Sequence, residues 1–249
     1  MAVPKKKRLD HILLETKQAG SLKEAETIIR AGKVYVEEEI ADKPGITYPP
    51  DATIRIKRDL PYVSRGGFKL QGALQYFNIK PQGWICADIG ASTGGFTDCL
   101  LQHGAGHVFA IDVAYGQLDW KLRTDSRVTV RERLNIKNIS AKHITQPLNL
   151  AVFDTSFISL KKVIPPIFPF FHSVCRIIAL IKPQFELTKN EVGTGGVVRD
   201  ERLRMKAVDM IEAFGRSVDL KTIGVTPSAI KGPKGNQEYL IYFKRKQPT

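Results

Sequence analysis

Short apolar runs alternate with segments of helical periodicity from about residue 64 to the end of the chain. Such alternation predicts an α/β domain on a mainly parallel sheet, because each return to a parallel strand needs a helix-length connection. Strands are expected at about 84–88, 107–112, 128–132, 149–154, 175–181, 221–226 and 237–243. The short segment 59–64, which contains Pro61, predicts a linker between domains of residues 1–60 and 61–249.

The N-terminal domain shows a different pattern, in which two helices precede short strands. Leu9, Ile12 and Leu13 fall at helical spacing, and the word Ser21–Glu24 is typical of a capping box that opens a second helix. That helix should end near Ala31–Gly32. Its expected buried residues are Leu22, Ala25, Ile28 and Ile29. Strands at Val34–Val36 and Ile54–Ile56, with a turn at Lys43–Gly45, complete the predicted domain.

This N-terminal segment resembles the S4-type RNA-binding domain. The matching positions are Arg8-Leu9-Asp10, Ala25, the stretch Ile29–Val36, Lys43-Pro44 and Asp51. Glu37–Glu39 departs from the family, which usually has an Asn-Gly turn there, and three acids should weaken phosphate attraction on that edge. The resemblance implies a small α+β RNA-binding domain; a plain interaction domain is the alternative that the residues leave open.

The charge of the chain favours a polyanionic partner. The formal net charge is +13 and the isoelectric point is about 9.7. Residues 1–60 hold 12 Lys and Arg against 10 Asp and Glu, so the remaining +11 lies in residues 61–249. Each Lys or Arg that meets a phosphate releases counterions. The run Lys5–Arg8 is interpreted as a phosphate-contacting arm or as a solvated tail.

Several absences from the sequence favour a cytoplasmic protein. No run approaches the roughly 18 apolar residues that cross a bilayer, and no apolar segment follows the N-terminal charges as in a secretory signal. Cys86, Cys99 and Cys175 are far apart and lack a CxxC spacing, which favours reduced thiols over a disulfide framework or a zinc site. We therefore expect no bound metal and no membrane span.

A glycine-rich loop follows the first predicted strand. The strand Trp84–Asp88 runs into Ile89–Phe96, and glycines at such a turn let the backbone approach a ligand. Ser92 stands where a dinucleotide fingerprint needs its second glycine. The pattern Asp88-x-Gly90-x-x-x-Gly94-Gly95 instead resembles the first motif of class I methyltransferases, which implies S-adenosylmethionine as cofactor. A tight turn without a ligand is the alternative.

The second predicted strand ends in an acid that suits a nucleoside. Asp112 lies 24 residues after Asp88, and a carboxylate there can accept both ribose hydroxyls. Glu132 and Asn135 follow the third strand, where contacts to adenine are as plausible as ordinary loop roles. The predicted cofactor-binding residues are Asp88, Gly90, Ala91, Ser92, Gly94, Gly95, Phe96, Asp112, Glu132 and Asn135.

Four charged residues fall at strand ends or just ahead of the sheet. Lys69 precedes the first strand, Asp154 ends the fourth, Lys182 follows the fifth and Glu238 opens the last. In this order they resemble the catalytic tetrad of FtsJ-like ribose 2'-O-methyltransferases. The longer words around them resemble the TlyA (hemolysin A) family of rRNA 2'-O-methyltransferases over nearly the whole chain. These words are 64–70, 88–98, 112–118, 154–160 and 182–186.

The resemblance implies a class I methyltransferase fold, rRNA or a ribosomal subunit as partner with no DNA expected, and cytidine 2'-O-methylation. A ribose hydroxyl is a weak acid, so methyl transfer needs an aligned approach and help with the proton. Lys182 is the candidate base, and Lys69 supplies a like charge that disfavours protonation. Asp154 and Glu238 are expected to orient the amines and the hydroxyl. Their negative charge works against a neutral amine, so the balance depends on geometry.

Three other functions compete with this interpretation. A methyltransferase for an RNA base or a protein is one, although the Asn-Pro-Pro-Tyr-like word of base-amine enzymes is missing after the fourth strand. A pore-forming cytolysin, which the label hemolysin suggests, is the second. A non-catalytic RNA-binding module is the third, and it is disfavoured because all four tetrad positions are filled.

Several further residues carry weaker interpretations. Phe157, Phe168, Phe170 and Phe171 are assigned to the core in preference to base stacking. His103, His107, His143 and His172 show no metal-ligand spacing. Residues 193–200 are interpreted as a flexible loop that feeds a helix and acts as a lid over the substrate.

Overall fold

The computed structural model describes residues 6–57, 61–171 and 173–246. Backbone contacts divide the chain into two compact units, Met1–Leu60 and Pro61–Thr249. The elements of the first unit are β1 Lys7–Arg8, α1 Leu9–Glu15, α2 Leu22–Arg30, β2 Val34–Val36, β3 Glu39–Ile40, β4 Thr47–Tyr48 and β5 Ile54–Ile56. Its strands form a three-stranded antiparallel sheet in the order β3-β2-β5 and a separate pair, β1-β4.

The two helices and the small sheet of the first unit share one apolar core. Leu9, Leu13, Ala25, Ile29 and Val34 have no exposed surface there. This agrees with the predicted helical spacing.

Leu22 differs from its predicted burial, because 39% of it is exposed. It occupies the first position of α2, where its side chain lies beyond the packed face that Ala25 and Ile29 form one and two turns later. The capping box is also altered. The Ser21 hydroxyl accepts the Glu24 N–H at 3.2 Å, whereas the Glu24 carboxylate accepts the N–H of Gly20 at 2.8 Å.

Two residues of the predicted basic arm, Lys7 and Arg8, make contacts within this unit. Lys5 lies outside the described residues. Lys7 and Arg8 pair with β4 as a short strand, and their side chains form ion pairs with Glu15 at 2.6 Å and Asp10 at 2.5 Å. The Arg8 guanidinium holds the pKa of the Asp10 carboxyl below its usual value. These contacts favour a structural role for Lys7 and Arg8.

The second unit is built on seven strands. Its elements are α3 Gly66–Tyr76, β6 Ile85–Ile89, α4 Gly95–Gln102, β7 His107–Ile111, α5 Trp120–Arg123, β8 Val128–Arg131, β9 Leu150–Phe153, α6 Leu160–Val163, β10 Val174–Ile181, α7 Pro183–Glu186, α8 Glu201–Ser217, β11 Lys221–Pro227 and β12 Tyr239–Lys246. The sheet order is β11-β12-β10-β9-β6-β7-β8, and β12 runs antiparallel to both neighbours. The predicted mainly parallel α/β fold is confirmed, although the last strand starts later than expected.

The sheet separates two apolar layers. Alternate residues of β6 and β7 point to opposite faces, so Ala87 and Phe109 join one core cluster whereas Cys86 and Val108 join the other. Helix α8 packs on the first face, and α3 and α4 cover the second. Among the predicted core phenylalanines, Phe171 is buried and Phe168 and Phe170 are partly buried.

Phe157 is the exception to the predicted core assignment, because 89% of it is exposed. Its backbone adopts a left-handed conformation (φ +62°) in the segment after β9, which directs the ring away from the core. The ring lies 5.0 Å from that of Phe185.

Candidate active site

The order in which the strands are added to the sheet reverses beside β6. From β6 it proceeds through β7 to β8 on one side, and then returns to β9 and β10 on the other. In open α/β sheets a crevice forms beyond the carboxyl ends of strands at such a switch point. The glycine loop after β6, Asp112 after β7 and Asp154 after β9 all follow strands that pair side by side. The topology therefore gathers these segments at one edge.

Gly90 fixes the shape of the glycine loop. Its φ is +85°, and a Cβ atom added there would lie 2.7 Å from the backbone oxygen of Asp154. Only glycine combines this left-handed conformation with so close an approach of two strand ends. The next turn is tied to β7, because the Ser92 N–H donates to Asp112 Oδ2 at 2.8 Å. Asp112 Oδ1 accepts the N–H of Ala114 at 2.7 Å, so two backbone donors hold this carboxylate in place.

A cavity of about 280 Å³ opens between these strand ends. Among the predicted cofactor residues, Gly90, Ser92, Asp112 and Asn135 line it. The side chain of Asn135 also accepts the N–H of Lys137 at 3.0 Å and caps a short turn. The walls are largely apolar and include Ile89, Ile111, Val113, Leu134, Ile136, Ile158 and Val163. None of these apolar residues was predicted from the sequence as a site residue, since each is also an ordinary strand-end or loop hydrophobe.

Asp88 is a fully buried carboxyl at the end of β6. Its Oδ2 accepts the Thr97 hydroxyl at 2.7 Å, whereas its Oδ1 has no hydrogen-bond partner within the described part of the chain. Burial raises the pKa of Asp88 to about 7, helped by the negative charges of Asp154 and Asp112. A buried acceptor without a donor is costly, so this oxygen suits a ligand that supplies one.

The other predicted cofactor residues lie away from the lining of this cavity. Gly94 (φ +97°) faces the interior, where an added Cβ would lie 2.2 Å from Leu122 Cδ1. Gly95 and Phe96 open helix α4, and Phe96 is buried in the core. Glu132 forms an ion pair with Arg123 at 2.5 Å, which lowers the pKa of its carboxyl. Glu132 and Ala91 border a much smaller cavity of about 10 Å³.

The four tetrad residues meet as two ion pairs at the same sheet edge. Lys69 Nζ lies 2.6 Å from Glu238 Oε2, and Lys182 Nζ lies 2.6 Å from Asp154 Oδ1. Ile181 and Tyr239 are register partners in the β10-β12 ladder, so Lys182 and Glu238 come one residue beyond the same rung. Each lysine is therefore paired with one of the two carboxylates that were expected to orient the amines.

The Lys69–Glu238 pair is almost wholly removed from solvent. The side chain of Lys69 is 9% exposed and that of Glu238 has no exposed surface. Gly232 packs against this carboxylate so closely that an added Cβ would lie 2.1 Å from Glu238 Oε1. Gly232 thus permits the burial of Glu238, a role that no sequence pattern signals.

The second lysine has an additional partner that the sequence did not single out. Lys182 Nζ donates to the Ser156 hydroxyl at 2.9 Å. Asp154 and Ser156, the two partners of this amine, both line the cavity. The amine of Lys182 is therefore held at the wall of the cavity.

The loop that was expected to act as a flexible lid is tied at its C-terminal part to Asn236. The side chain of Asn236 accepts the N–H of Val198 at 3.0 Å and donates to the backbone oxygen of Gly196 at 2.9 Å. Val198 is buried, and Asp200 caps α8 through the N–H of Arg202. These contacts hold residues 196–198 against the segment before β12, and the role of the loop as a lid stays a prediction.

Clusters of metal ligands and membrane-spanning helices are both missing from the described residues. His, Cys, Asp and Glu side chains there form no group that could hold a metal ion. No helix in the described ranges has the length and apolar character needed to cross a membrane.

The seven-stranded sheet with its reversed last strand, the glycine loop and the cavity at the switch point define a methyltransferase of the Rossmann-like class. The profile of the FtsJ-like methyltransferases matches residues 62–245, and that of the S4 domain matches residues 7–54. The chain belongs to the FtsJ-like methyltransferase family and carries an N-terminal S4 domain.

Relatives of known name agree with this assignment. The chain is 41% identical to the 16S/23S rRNA (cytidine-2'-O)-methyltransferase TlyA of Mycobacterium tuberculosis, over 95% of this chain and 89% of the relative. It is also 41% identical to Hemolysin A of Brachyspira hyodysenteriae, over 95% of this chain and 99% of the relative. A solved structure of a proposed hemolysin from Streptococcus thermophilus is 36% identical, with a TM-score of 0.73 over 98% of this chain and 90% of that one.

Proposed function

We propose that this protein transfers a methyl group from S-adenosylmethionine to the ribose 2'-hydroxyl of a cytidine in ribosomal RNA. The observation that carries the proposal is the position of Lys182, whose amine is bonded to two residues that line the cavity after β6 and β9. The name of the M. tuberculosis relative supports the choice of a cytidine ribose in rRNA. An rRNA substrate assigns the protein to the cytoplasm.

The residues at this sheet edge fit the proposed cofactor in their chemistry. Asp88 offers a buried oxygen without a donor, which suits a cationic amino group, and Asp112 retains lone pairs for ribose hydroxyls. Gly90 lets the two strand ends approach closely and lines the cavity, and the apolar walls suit a purine ring. When bound, S-adenosylmethionine supplies an electrophilic methyl group.

The tetrad residues act on the ribose hydroxyl. The neutral amine of Lys182 accepts the proton of the ribose hydroxyl. Asp154 and Ser156 fix the direction of this amine. Glu238 and Lys69 form a buried pair at the adjacent strand end, and Glu238 orients the amine of Lys69 on the side of the acceptor hydroxyl. Most of the rate enhancement then comes from alignment and proton removal.

The two units divide the work. We propose that the N-terminal domain, residues 1–60, contributes RNA affinity and that residues 61–249 perform the chemistry. The charge of +11 on the second part supports a direct contact of the catalytic domain with RNA phosphates. RNA binding should therefore weaken steeply as salt rises.

Removal of residues 1–60 is expected to leave S-adenosylmethionine affinity nearly unchanged and to reduce methylation at low rRNA concentration by about 10²-fold, since one of two linked RNA contacts is lost. The truncated chain should begin at Pro61, because Tyr62 is buried against Phe68 in the catalytic unit. Calorimetric titration and a filter-binding methylation assay measure the two quantities. Full-length rates from the truncated protein would contradict this division.

The affinity for S-adenosylmethionine is expected to fall about tenfold between pH 8 and pH 6 because of Asp88. With a pKa near 7, the Asp88 carboxyl is mostly ionised at pH 8 and mostly protonated at pH 6. The ionised form attracts the cofactor's amino group, so acid weakens binding. Calorimetry across this range with wild type and Asp88→Asn checks the cause. The variant should bind more weakly at pH 8 and show a flatter dependence. An equally steep dependence in the variant would rule out Asp88 as its source.

A further inference from the structure

Glu186 is a buried carboxyl to which the proposed mechanism assigns no part. It ends the short helix α7 and is 9% exposed. Its Oε2 accepts the Ser159 hydroxyl at 2.5 Å, and its Oε1 accepts the N–H of Leu160 at 2.8 Å. Burial raises the pKa of this carboxyl, which marks its position as costly for a charge. A buried carboxyl that accepts hydrogen bonds from two adjacent residues, Ser159 and Leu160, suggests a role in holding that segment in position.

The bonds of Glu186 close a ring between two segments of the site. One segment, 154–160, begins at Asp154 and ends at the first residue of α6; the other, 182–186, begins at Lys182 and ends at Glu186. Lys182 joins the starts of the two segments through Asp154 and Ser156. The Phe157 and Phe185 rings meet in the middle at 5.0 Å, and Glu186 joins the far ends. The segments are thus fastened along their whole length.

We infer that Glu186 is a positioning residue, which holds the 154–160 segment against α7 and thereby sets Asp154 and Ser156 around the amine of Lys182. The inference rests on the proposed function of this site.

The physical reason lies in the nature of the 154–160 segment. It has no strand or helix of its own before α6, and Phe157 within it has a left-handed backbone. Its position therefore depends on contacts at its ends. The start of the segment is fixed by the ladder between β9 and β6, since the N–H of Asp154 donates to the backbone oxygen of Ile89 at 3.0 Å. Glu186 supplies the other anchor. A displacement of about 1 Å at a reacting group costs roughly 10²-fold in rate.

Glu186→Ala should lower kcat by about 10²-fold and raise KM for S-adenosylmethionine by no more than about tenfold, because the anchor acts mainly on alignment, although the 154–160 segment also lines part of the cavity. Glu186→Gln should keep at least about a third of the wild-type kcat, because its amide oxygen can accept the Leu160 N–H and its NH₂ can donate to Ser159. Hydrogen exchange of the amides of residues 155–160 should be faster in Glu186→Ala and near normal in Glu186→Gln.

The control is Leu220→Ala, a cavity variant in the same core cluster that lies ahead of β11, at the opposite edge of the sheet. It should lower the melting temperature and leave kcat nearly unchanged. If Glu186→Ala does not fold, Ser159→Ala removes one of the two bonds, together with the cap that the Ser159 hydroxyl gives the N–H of Lys161, and should lower kcat more than it raises KM.

Wild-type kcat in Glu186→Ala, or in Ser159→Ala where it serves as the substitute, would overturn the inference. A loss of kcat in Leu220→Ala as large as that in Glu186→Ala would also overturn it. Failure of the proposed function is distinguishable, because wild-type protein would then form no 2'-O-methylated product in the same assay.

Discussion

Lys182→Arg is expected to reduce methyl transfer by about 10²–10⁴-fold, close to the loss in Lys182→Ala, because a guanidinium stays protonated and cannot accept the hydroxyl proton. Arginine could still reach Asp154, so the ion pair at the cavity wall would survive in this variant. The affinity for S-adenosylmethionine should barely change in either variant, since the loss falls on the transition state. Single-turnover methylation of rRNA with saturating cofactor measures the effect.

A phosphate contact is the alternative role for Lys182, and it makes the opposite prediction. Arginine would then substitute well, and the defect of Lys182→Ala would appear in RNA affinity and shrink at low salt. Lys162, an exposed lysine of α6, offers a matched control in which arginine should be tolerated under either role. Near-normal single-turnover rates for Lys182→Arg would therefore contradict the assignment of Lys182 as the base.

Lys69→Met is expected to destabilise the catalytic unit by about 3–5 kcal/mol, because it leaves the fully buried carboxylate of Glu238 without its cation. In a domain of this size such a loss lowers the melting temperature by about 10 °C. The double variant Lys69→Met/Glu238→Gln removes both charges and should recover much of that stability while remaining inactive. Thermal unfolding followed by circular dichroism gives the comparison.

The matched control for this pair is Lys206→Met. Lys206 forms an ion pair with Glu191 on the surface, with the lysine side chain 54% exposed. Solvent screens such a pair, so its loss should change the melting temperature little. If Lys69→Met were no more harmful than Lys206→Met, the buried pair would not have the structural importance that its burial implies.

The strands and the charged residues at their ends were predictable from the sequence. Apolar runs such as Ala151–Phe153 and Ile177–Ile181 are buried on both faces of a parallel sheet. Such strands are recognisable in the sequence because their hydrophobic residues are nearly continuous and do not alternate with polar ones. A charged residue directly after such a run must lie at the sheet edge, as Asp154 and Lys182 do. The edge of the site follows from this local pattern alone.

The pairing within the site was not predictable in the same way. Lys69 and Glu238 are 169 positions apart, and their contact depends on how α3 packs beside β12. Gly94 belongs to the glycine pattern, yet tertiary packing turns it toward Leu122. Phe157 is apolar and still exposed, since its left-handed backbone directs the ring outward. Side-chain direction in loops is set by tertiary contacts that no local pattern records.

The most direct test of the proposed function is the identity of the methylated nucleoside. Ribosomal subunits from cells that lack this protein should be incubated with labelled S-adenosylmethionine and either wild type or Lys182→Ala, and the rRNA then digested and analysed by mass spectrometry. The proposed function predicts 2'-O-methylcytidine with wild type and almost none with the variant. Label found on a cytosine base, on a ribosomal protein, or nowhere would contradict it.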